Sequence, residues 1–90
     1  MSITVSIPTI LRSYTANARS VDAAGDTLTD VISDLDKQFP GLGDRLLENG
    51  ELRRFVNIYI NDEDVRFLGS LNAPLSDGDT ITVLPAVAGG

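Results

Sequence analysis

The residues with the clearest chemical potential are the last two, Gly89 and Gly90, whose reactive group is the terminal carboxylate. A carboxylate that attacks the α-phosphate of ATP must come close to nucleotide and metal, and a residue without a Cβ permits that approach. The product would be an acyl-adenylate, a mixed anhydride open to nucleophiles. Gly90 is therefore the candidate reactive residue, and another protein would supply the catalysis.

The composition removes most of the parts that a catalytic centre needs. The 90 residues include no cysteine and no histidine. Cysteine nucleophiles, thiolate metal sites and the commonest general base at neutral pH are thereby excluded. Asp62, Glu63 and Asp64 could be read as metal ligands, but adjacent acids lack a converging geometry, and a solvated turn is the preferred interpretation. We expect a chain that is not an enzyme and that binds neither a metal nor a cofactor.

The charge and hydropathy of the chain favour a protein partner over nucleic acid or a membrane. The formal net charge of −6 argues against nucleic acid, because phosphate binding requires clustered Lys and Arg, and it favours a basic protein partner. No apolar stretch approaches the roughly 20 residues that cross a bilayer. Residues 1–5 alternate in polarity, unlike a signal peptide. We therefore expect a cytoplasmic protein without a membrane partner.

The Gly90 carboxylate needs an extended segment that carries it away from a folded domain. Pro85 is expected to end the last strand, which divides the chain into a domain at residues 1–84 and a tail at residues 85–90. The tail would reach roughly 20 Å and could thread a narrow channel. Its residues are Pro85, Ala86, Val87, Ala88, Gly89 and Gly90. The alternative interpretation is a floppy end without function.

The first half of the domain has two strands and a helix. Residues 2–7 alternate in polarity and predict a strand, and residues 20–23 predict a short second one. Residues 27–39 change to the spacing of one helical face. A short second helix or turn is expected around residues 42–47. The inward positions of the main helix are Leu28, Val31, Ile32, Leu35 and Phe39.

The second half returns to strand periodicity. Residues 54–60 predict a strand, and Asn61 and Asp62 suit a tight turn, after which Val65 and Phe67 predict a short strand. The inward side chains of the first of these strands are Val56, Ile58 and Ile60, and the outward ones are Phe55, Asn57 and Tyr59.

A turn or single helical turn at residues 71–75 and a second turn at residues 76–79 lead into a last strand at residues 80–84, with Ile81 and Val83 inward. Pattern alone gives an α+β fold. The element order describes a mixed sheet crossed by one main helix, which is the β-grasp arrangement of ubiquitin-like proteins.

The closing segment carries a resemblance to a known family. Residues 75–90 combine an Asp-Gly-Asp turn, a strand, a proline and a final Gly-Gly, and this segment resembles the end of MoaD/ThiS sulfur carriers. Residues 5–12 and 54–67 are similar to the CysO type of that family. The resemblance implies that an E1-like adenylating sulfurtransferase uses ATP to activate Gly90, which is then converted to a thiocarboxylate.

The resemblance also implies further partners. In CysO-type systems, sulfur passes to an aminoacrylate intermediate on a pyridoxal-phosphate cysteine synthase, and a zinc metallopeptidase of the JAMM type releases cysteine. ATP, zinc and pyridoxal phosphate would therefore be bound by the partner enzymes. The alternative acceptors are the pathways to thiamine, molybdopterin or a secondary metabolite.

Leu84 is the candidate docking residue for the activating enzyme. Alternation places it outward with Thr80 and Thr82, where the family presents an apolar residue to its E1-like partner. Phe55 and Tyr59 are candidates to extend this patch, with packing beneath a loop as their alternative. An ordinary exposed leucine is the alternative for Leu84.

Two other functions stay open at this point. A ubiquitin-like modifier would use the same adenylate but join Gly90 to a lysine. A binding protein, or a partner in a toxin–antitoxin pair, would have an inert tail. Deletion of Gly89 and Gly90 separates this last class from the others.

Overall fold

Two short strands near the amino terminus form one edge of the sheet. The computed structural model describes residues 2–53 and 56–85. Strand β1 spans Ile3–Ser6 and pairs antiparallel with strand β2, which spans Ser20–Ala23. Alternation along β1 buries Ile3 and Val5, because successive side chains leave a strand on opposite faces. Both predicted strands are confirmed.

A 3₁₀ helix at Thr9–Thr15 connects these strands. It buries Leu11 and Thr15. The Thr15 hydroxyl lies 3.2 Å from the carbonyl oxygen of Arg12 and 3.0 Å from that of Ala18. The buried hydroxyl is therefore satisfied locally, as a buried polar group must be. With only two inward residues, the segment has too little periodicity to reveal this helix.

Helix α1 spans Leu28–Gln38 and confirms the predicted main helix. Thr27 caps it by accepting a hydrogen bond from the N–H of Asp30 at 3.4 Å. Asp30 in the first turn and Lys37 in the last both complement the helix dipole. The buried face consists of Leu28, Val31, Ile32 and Leu35.

A second, shorter helix follows at once and is tied to the first. Helix α2 spans Leu42–Leu46, as expected. The Asp36 carboxylate accepts hydrogen bonds from the N–H groups of Gly41 and Gly43, at 3.2 and 2.9 Å. Gly41 has a φ of 97°, a conformation that favours glycine. One acidic side chain of α1 thus fixes the turn between the helices.

The described residues contain five further strands. Strands β3 (Leu47–Glu48) and β4 (Glu51–Leu52) form a separate small hairpin. Strands β5 (Val56–Ile60), β6 (Glu63–Asp64) and β7 (Thr80–Pro85) join the main sheet, whose order is β2-β1-β7-β5-β6. Strand β7 is parallel to β1, and the other pairs of this sheet are antiparallel.

One hydrophobic cluster lies between α1 and the inner face of this sheet. It includes the buried face of α1 together with Ile58 and Ile60 of β5 and Ile81 and Val83 of β7. The other face of the sheet carries the outward positions of the same strands, which include Leu84. This is the mixed sheet crossed by one main helix that the sequence predicts, and β5 confirms the predicted strand over its described part.

The predicted strand containing Val65 and Phe67 is wrong. Strand β6 ends at Asp64, and Val65–Phe67 form a 3₁₀ helix. The Asp64 carboxylate accepts a hydrogen bond from the N–H of Arg66 at 2.8 Å and so caps this helix instead of continuing the ladder. The turn at Asn61 and Asp62 is confirmed, with φ values of 49° and 71°. A further 3₁₀ helix, at Ser70–Asn72, supplies the expected helical turn.

Candidate partner interface and reactive terminus

Strand β7 is the last element of the part of the chain that the structure describes. Its pairing with β1 covers Thr80 to Thr82, whereas its pairing with β5 continues to Pro85 opposite Val56. The strand ends one residue later than the sequence predicted. Proline has no backbone N–H to donate, and it is tolerated at the end of a strand because no ladder hydrogen bond from that position is required. The last part of β7 therefore extends past β1, and among the described residues β5 is its one neighbour in this sheet.

Leu84 stands on the outer face of this projecting part. Ile81 and Val83 of the same strand are buried, whereas Leu84 is 46% exposed. The predicted outward position of Leu84 is confirmed. A large apolar side chain at this place can contribute to a protein contact without disturbing the core.

Two residues of β5 share the outer face with Leu84. Asn57 is directly opposite Leu84, and Tyr59 is opposite Thr82. Leu84 and Tyr59 are therefore diagonal neighbours, a relation that in antiparallel sheets separates Cα atoms by roughly 7–8 Å. Tyr59 is half-buried. The structure thus brings two of the three predicted docking residues onto one face, and the third, Phe55, lies outside the described residues.

A polar network that the sequence did not reveal adjoins this face. The Arg66 guanidinium donates to Asn57 Oδ1 at 3.0 Å and to Asp64 Oδ2 at 2.7 Å. The side-chain hydrogen bonds from Arg66 are the largest cause that lowers the pKa of Asp64, and the same pairing raises the pKa of Arg66. The network links the turn after β6 to the residue opposite Leu84. The alternation of the strand predicts that Asn57 faces outward. It does not reveal the hydrogen-bond partner of Asn57, because Arg66 lies nine positions later in the sequence, beyond a turn.

The start of β7 is held by a second network. The Asp79 carboxylate accepts hydrogen bonds from the N–H of Ser76 at 2.8 Å and from Asn61 Nδ2 at 2.9 Å. These two bonds, in that order, lower the pKa of Asp79. Asn61 Oδ1 in turn accepts from the N–H of Thr80 at 3.0 Å. The turn before β7 is thus fixed to the turn after β5, which gives the last strand a rigid base.

The candidate reactive terminus is not among the described residues. Val87, Ala88, Gly89 and Gly90 lie outside them, and of Pro85 only the backbone pairing is described. Their predicted roles stay predictions. Within residues 2–53 and 56–85, no group of His, Cys, Asp or Glu could hold a metal ion. In the same part of the chain, no helix has the length and apolarity that crossing a membrane requires.

An open cavity of about 470 Å³ lies on the inner side of β5, away from the Leu84 face. Its apolar lining includes Leu52, Val56 and Val65, and its cationic residues are Arg53 and Arg66. Both arginines already have acidic partners, Glu48 at 3.6 Å and Asp64 at 2.7 Å. We assign no ligand to this cavity.

A family model of the ThiS family matches residues 5–90. The chain belongs to the ThiS family. It is 58% identical to the sulfur carrier protein CysO of Mycobacterium tuberculosis over 93 aligned positions, which cover 100% of both chains. A chain in the crystal structure of the Amycolatopsis orientalis BexX/CysO complex matches with a TM-score of 0.94 and 53% identity, over 98% of this chain and 99% of that one.

The chain is also 41% identical to small archaeal modifier protein 3 of Haloferax volcanii over 64 residues, which cover 71% of this chain and 70% of the relative. These relatives are carriers or small modifiers and not catalysts. The β-grasp, ubiquitin-like fold, the membership of the MoaD/ThiS group with its likeness to CysO, and the expectation of a non-enzyme are confirmed. A general sulfur-carrier role is supported.

Proposed function

We propose that this ThiS-family chain carries sulfur as a thiocarboxylate on Gly90. In the first step, a carboxylate oxygen of Gly90 attacks the α-phosphate of ATP, and pyrophosphate leaves. In the second, a sulfur nucleophile supplied by the activating system attacks the acyl carbon, and AMP leaves. The observation that carries the proposal is the 58% identity to CysO over the full chain, together with a family match that runs through residue 90.

The activating enzyme is an E1-like adenylating sulfurtransferase that docks on the Leu84 face. Leu84 is half-exposed on the strand that leads to the tail, and Tyr59 is its diagonal neighbour on the same face. Phe55 is the further candidate for this contact. A bound enzyme at this place would receive the six residues that follow Leu84 in its active-site channel, because the end of β7 already extends past β1 there.

The sulfur is destined for cysteine biosynthesis in the cytoplasm. The support is the likeness to proteins named CysO, and the proposed acceptor is a pyridoxal-phosphate cysteine synthase, with a JAMM metallopeptidase to release the product. ATP, zinc and pyridoxal phosphate are bound by these enzymes and not by the carrier. Thiamine, molybdopterin or secondary-metabolite pathways are the alternative destinations.

The test is direct. The purified protein is incubated with the activating enzyme of the same organism, ATP and a sulfur donor, and its intact mass is measured. We expect a mass gain that corresponds to sulfur in place of one oxygen, located at Gly90 by fragmentation. A wild-type protein that never gains this mass under conditions in which the enzyme consumes ATP would refute the carrier mechanism.

A second candidate is a ubiquitin-like modifier, which the likeness to small archaeal modifier protein 3 favours. It requires the same adenylate, but an amine replaces sulfur as the nucleophile and forms an isopeptide bond. Mass spectrometry of proteins isolated from the native host separates the two functions. Gly-Gly remnants on lysines of other proteins would identify the modifier, and a thiocarboxylate alone would identify the carrier.

A further inference from the structure

The Arg66 guanidinium reaches the outer face of the sheet from the turn after β6. Its hydrogen-bond partners there are Asn57, at 3.0 Å, and Asp64, at 2.7 Å. Asn57 is directly opposite Leu84, and Asp64 is directly opposite Tyr59. Both partners therefore belong to the face that carries Leu84 and Tyr59. A cationic group thus lies on the proposed docking face, and the proposed function does not yet use it.

The guanidinium is held in one orientation. Its Nε donates to both carboxylate oxygens of Asp64, at 3.1 and 3.2 Å, and its Nη2 donates to Asp64 and to Asn57. The hydrogen bonds to Asp64 are the largest cause that raises the pKa of Arg66, and the Tyr59 phenol makes a smaller contribution. An arginine that is already held in this way loses little conformational entropy when it binds a second group.

The ion pair turns its positive end towards solvent. The Arg66 side chain is 62% exposed, whereas that of Asp64 is 16% exposed. A group that approaches the pair therefore meets the guanidinium first, although Asp64 offsets part of its charge. The third guanidinium nitrogen, Nη1, donates to none of the described residues. It can give two hydrogen bonds to a carboxylate, and charge-assisted bonds of this kind are stronger than neutral ones.

The neighbouring outward positions on β7, Thr80 and Thr82, are neutral. The chain as a whole has a formal net charge of −6, so an acidic group of a partner is disfavoured over the surface in general. Arg66 compensates such a group at one place, next to Leu84. A charged pair beside an apolar contact fixes the orientation of two proteins and selects between partners.

We propose that Arg66 is a second contact for the activating enzyme beside Leu84, and that the enzyme presents the carboxylate of an Asp or Glu to it. This inference rests on the proposed function, in which an E1-like enzyme docks on the Leu84 face. Leu84 supplies the apolar part of the contact. The guanidinium selects an enzyme whose acidic residue lies next to the pocket for Leu84, and the pair sets the orientation in which the end of β7 meets the enzyme.

The experiment measures dissociation constants for the purified carrier and the activating enzyme of the same organism, without ATP. Arg66→Gln removes the guanidinium. Arg19→Gln is the control, because it removes the same charge from an exposed position immediately before β2, at the opposite edge of the sheet from β6. We expect Arg66→Gln to weaken binding at least about tenfold and Arg19→Gln to stay within about threefold of wild type. Both variants should melt within about 5 °C of wild type, because both side chains are largely exposed.

Double-mutant cycles identify the carboxylate. Each surface Asp or Glu of the enzyme is changed in turn to Asn or Gln, and each enzyme variant is titrated with the wild-type carrier and with Arg66→Gln. One enzyme variant should bind the wild-type carrier about tenfold more weakly than the wild-type enzyme does, yet bind Arg66→Gln with unchanged affinity. A cycle of this kind reports a direct contact, because a merely structural role of Arg66 would not couple to one residue of the enzyme. If no enzyme variant couples to Arg66, the carboxylate contact is wrong.

Arg66→Lys is a second variant, which keeps the charge but lacks the planar fork that can pair with two carboxylates at once. It should bind more weakly than wild type and more tightly than Arg66→Gln. The inference is overturned if Arg66→Gln binds as wild type does, if Arg19→Gln weakens binding equally, or if Arg66→Lys binds no better than Arg66→Gln. A wild-type carrier that does not bind the enzyme would refute this contact and the proposed docking together. A carrier that gains sulfur although Arg66→Gln binds as wild type does would overturn the contact alone and leave the proposed function intact.

Discussion

Replacing Leu84 with aspartate should separate folding from docking. Leu84 is 46% exposed, so folding buries only about half of its side chain. At about 25 cal/mol per Å² of apolar surface, the lost burial amounts to about 1 kcal/mol, or about 5 °C in Tm for a domain of this size. The variant should therefore remain folded at 25 °C.

The same substitution should have a larger effect on activation. A charge buried against an apolar docking pocket, together with the loss of a central apolar contact, costs at least about 2 kcal/mol, which corresponds to a roughly 30-fold fall in kcat/KM. The assay measures pyrophosphate release by the activating enzyme as a function of carrier concentration. Circular dichroism at the assay temperature establishes that the variant is folded.

Thr80→Asp provides the matched control. Thr80 is exposed at the other end of the same strand and carries the same added charge about 13 Å from Leu84, at 3.3 Å per residue. If Thr80→Asp lowers kcat/KM as much as Leu84→Asp does, the effect is general repulsion and not local docking. A Leu84→Asp carrier that is activated within about twofold of wild type would refute the docking assignment.

Three further changes test other parts of the molecule. Deletion of Gly90 should abolish the sulfur mass gain while Tm stays near that of wild type, because the carboxylate retracts by about 3.5 Å; sulfur found on the shortened terminus would contradict the mechanism. Asp36→Ala removes the acceptor for two backbone N–H groups and should lower the free energy of unfolding by about 1–2 kcal/mol in urea titrations, whereas Asp44→Ala, a nearby exposed acid, should have little effect. The hydrogen bonds that depress the pKa of Asp79 stabilise the fold above the unfolded pKa of this carboxyl, and that contribution is lost as pH falls through the lower folded pKa. Asp79→Asn should therefore flatten the acid limb of the stability profile, and an unchanged slope would show that Asp79 does not contribute.

The elements with regular periodicity were predictable from the sequence. Helix α1 and strand β5 have enough apolar positions to specify both their type and their buried face. The turn after β6 was not predictable in this way, because Val65 and Phe67 alternate like a strand while the Asp64 carboxylate caps a 3₁₀ helix. A side-chain hydrogen bond determines the local structure there, and the hydropathy pattern does not predict such a bond.

The candidate docking face was predictable only in part. Alternation alone places Leu84 outward, and the sequence therefore identifies the residue. The neighbours of Leu84 depend on the antiparallel register that sets Asn57 opposite it and on the long reach of Arg66 across a turn. Both contacts join residues that are not neighbours in sequence, so they can be identified only from the folded structure.

The position of Lys37 has a practical consequence for labelling this protein. It is the one lysine in the sequence and lies exposed in the last turn of α1, which packs on the inner face of the sheet. An amine-reactive dye or biotin at this side chain would therefore mark the helical side of the domain and leave the Leu84 face clear. Apart from the α-amino group, amine chemistry offers a single attachment point. Immobilisation through it presents the face that carries Leu84 to solution in a uniform orientation.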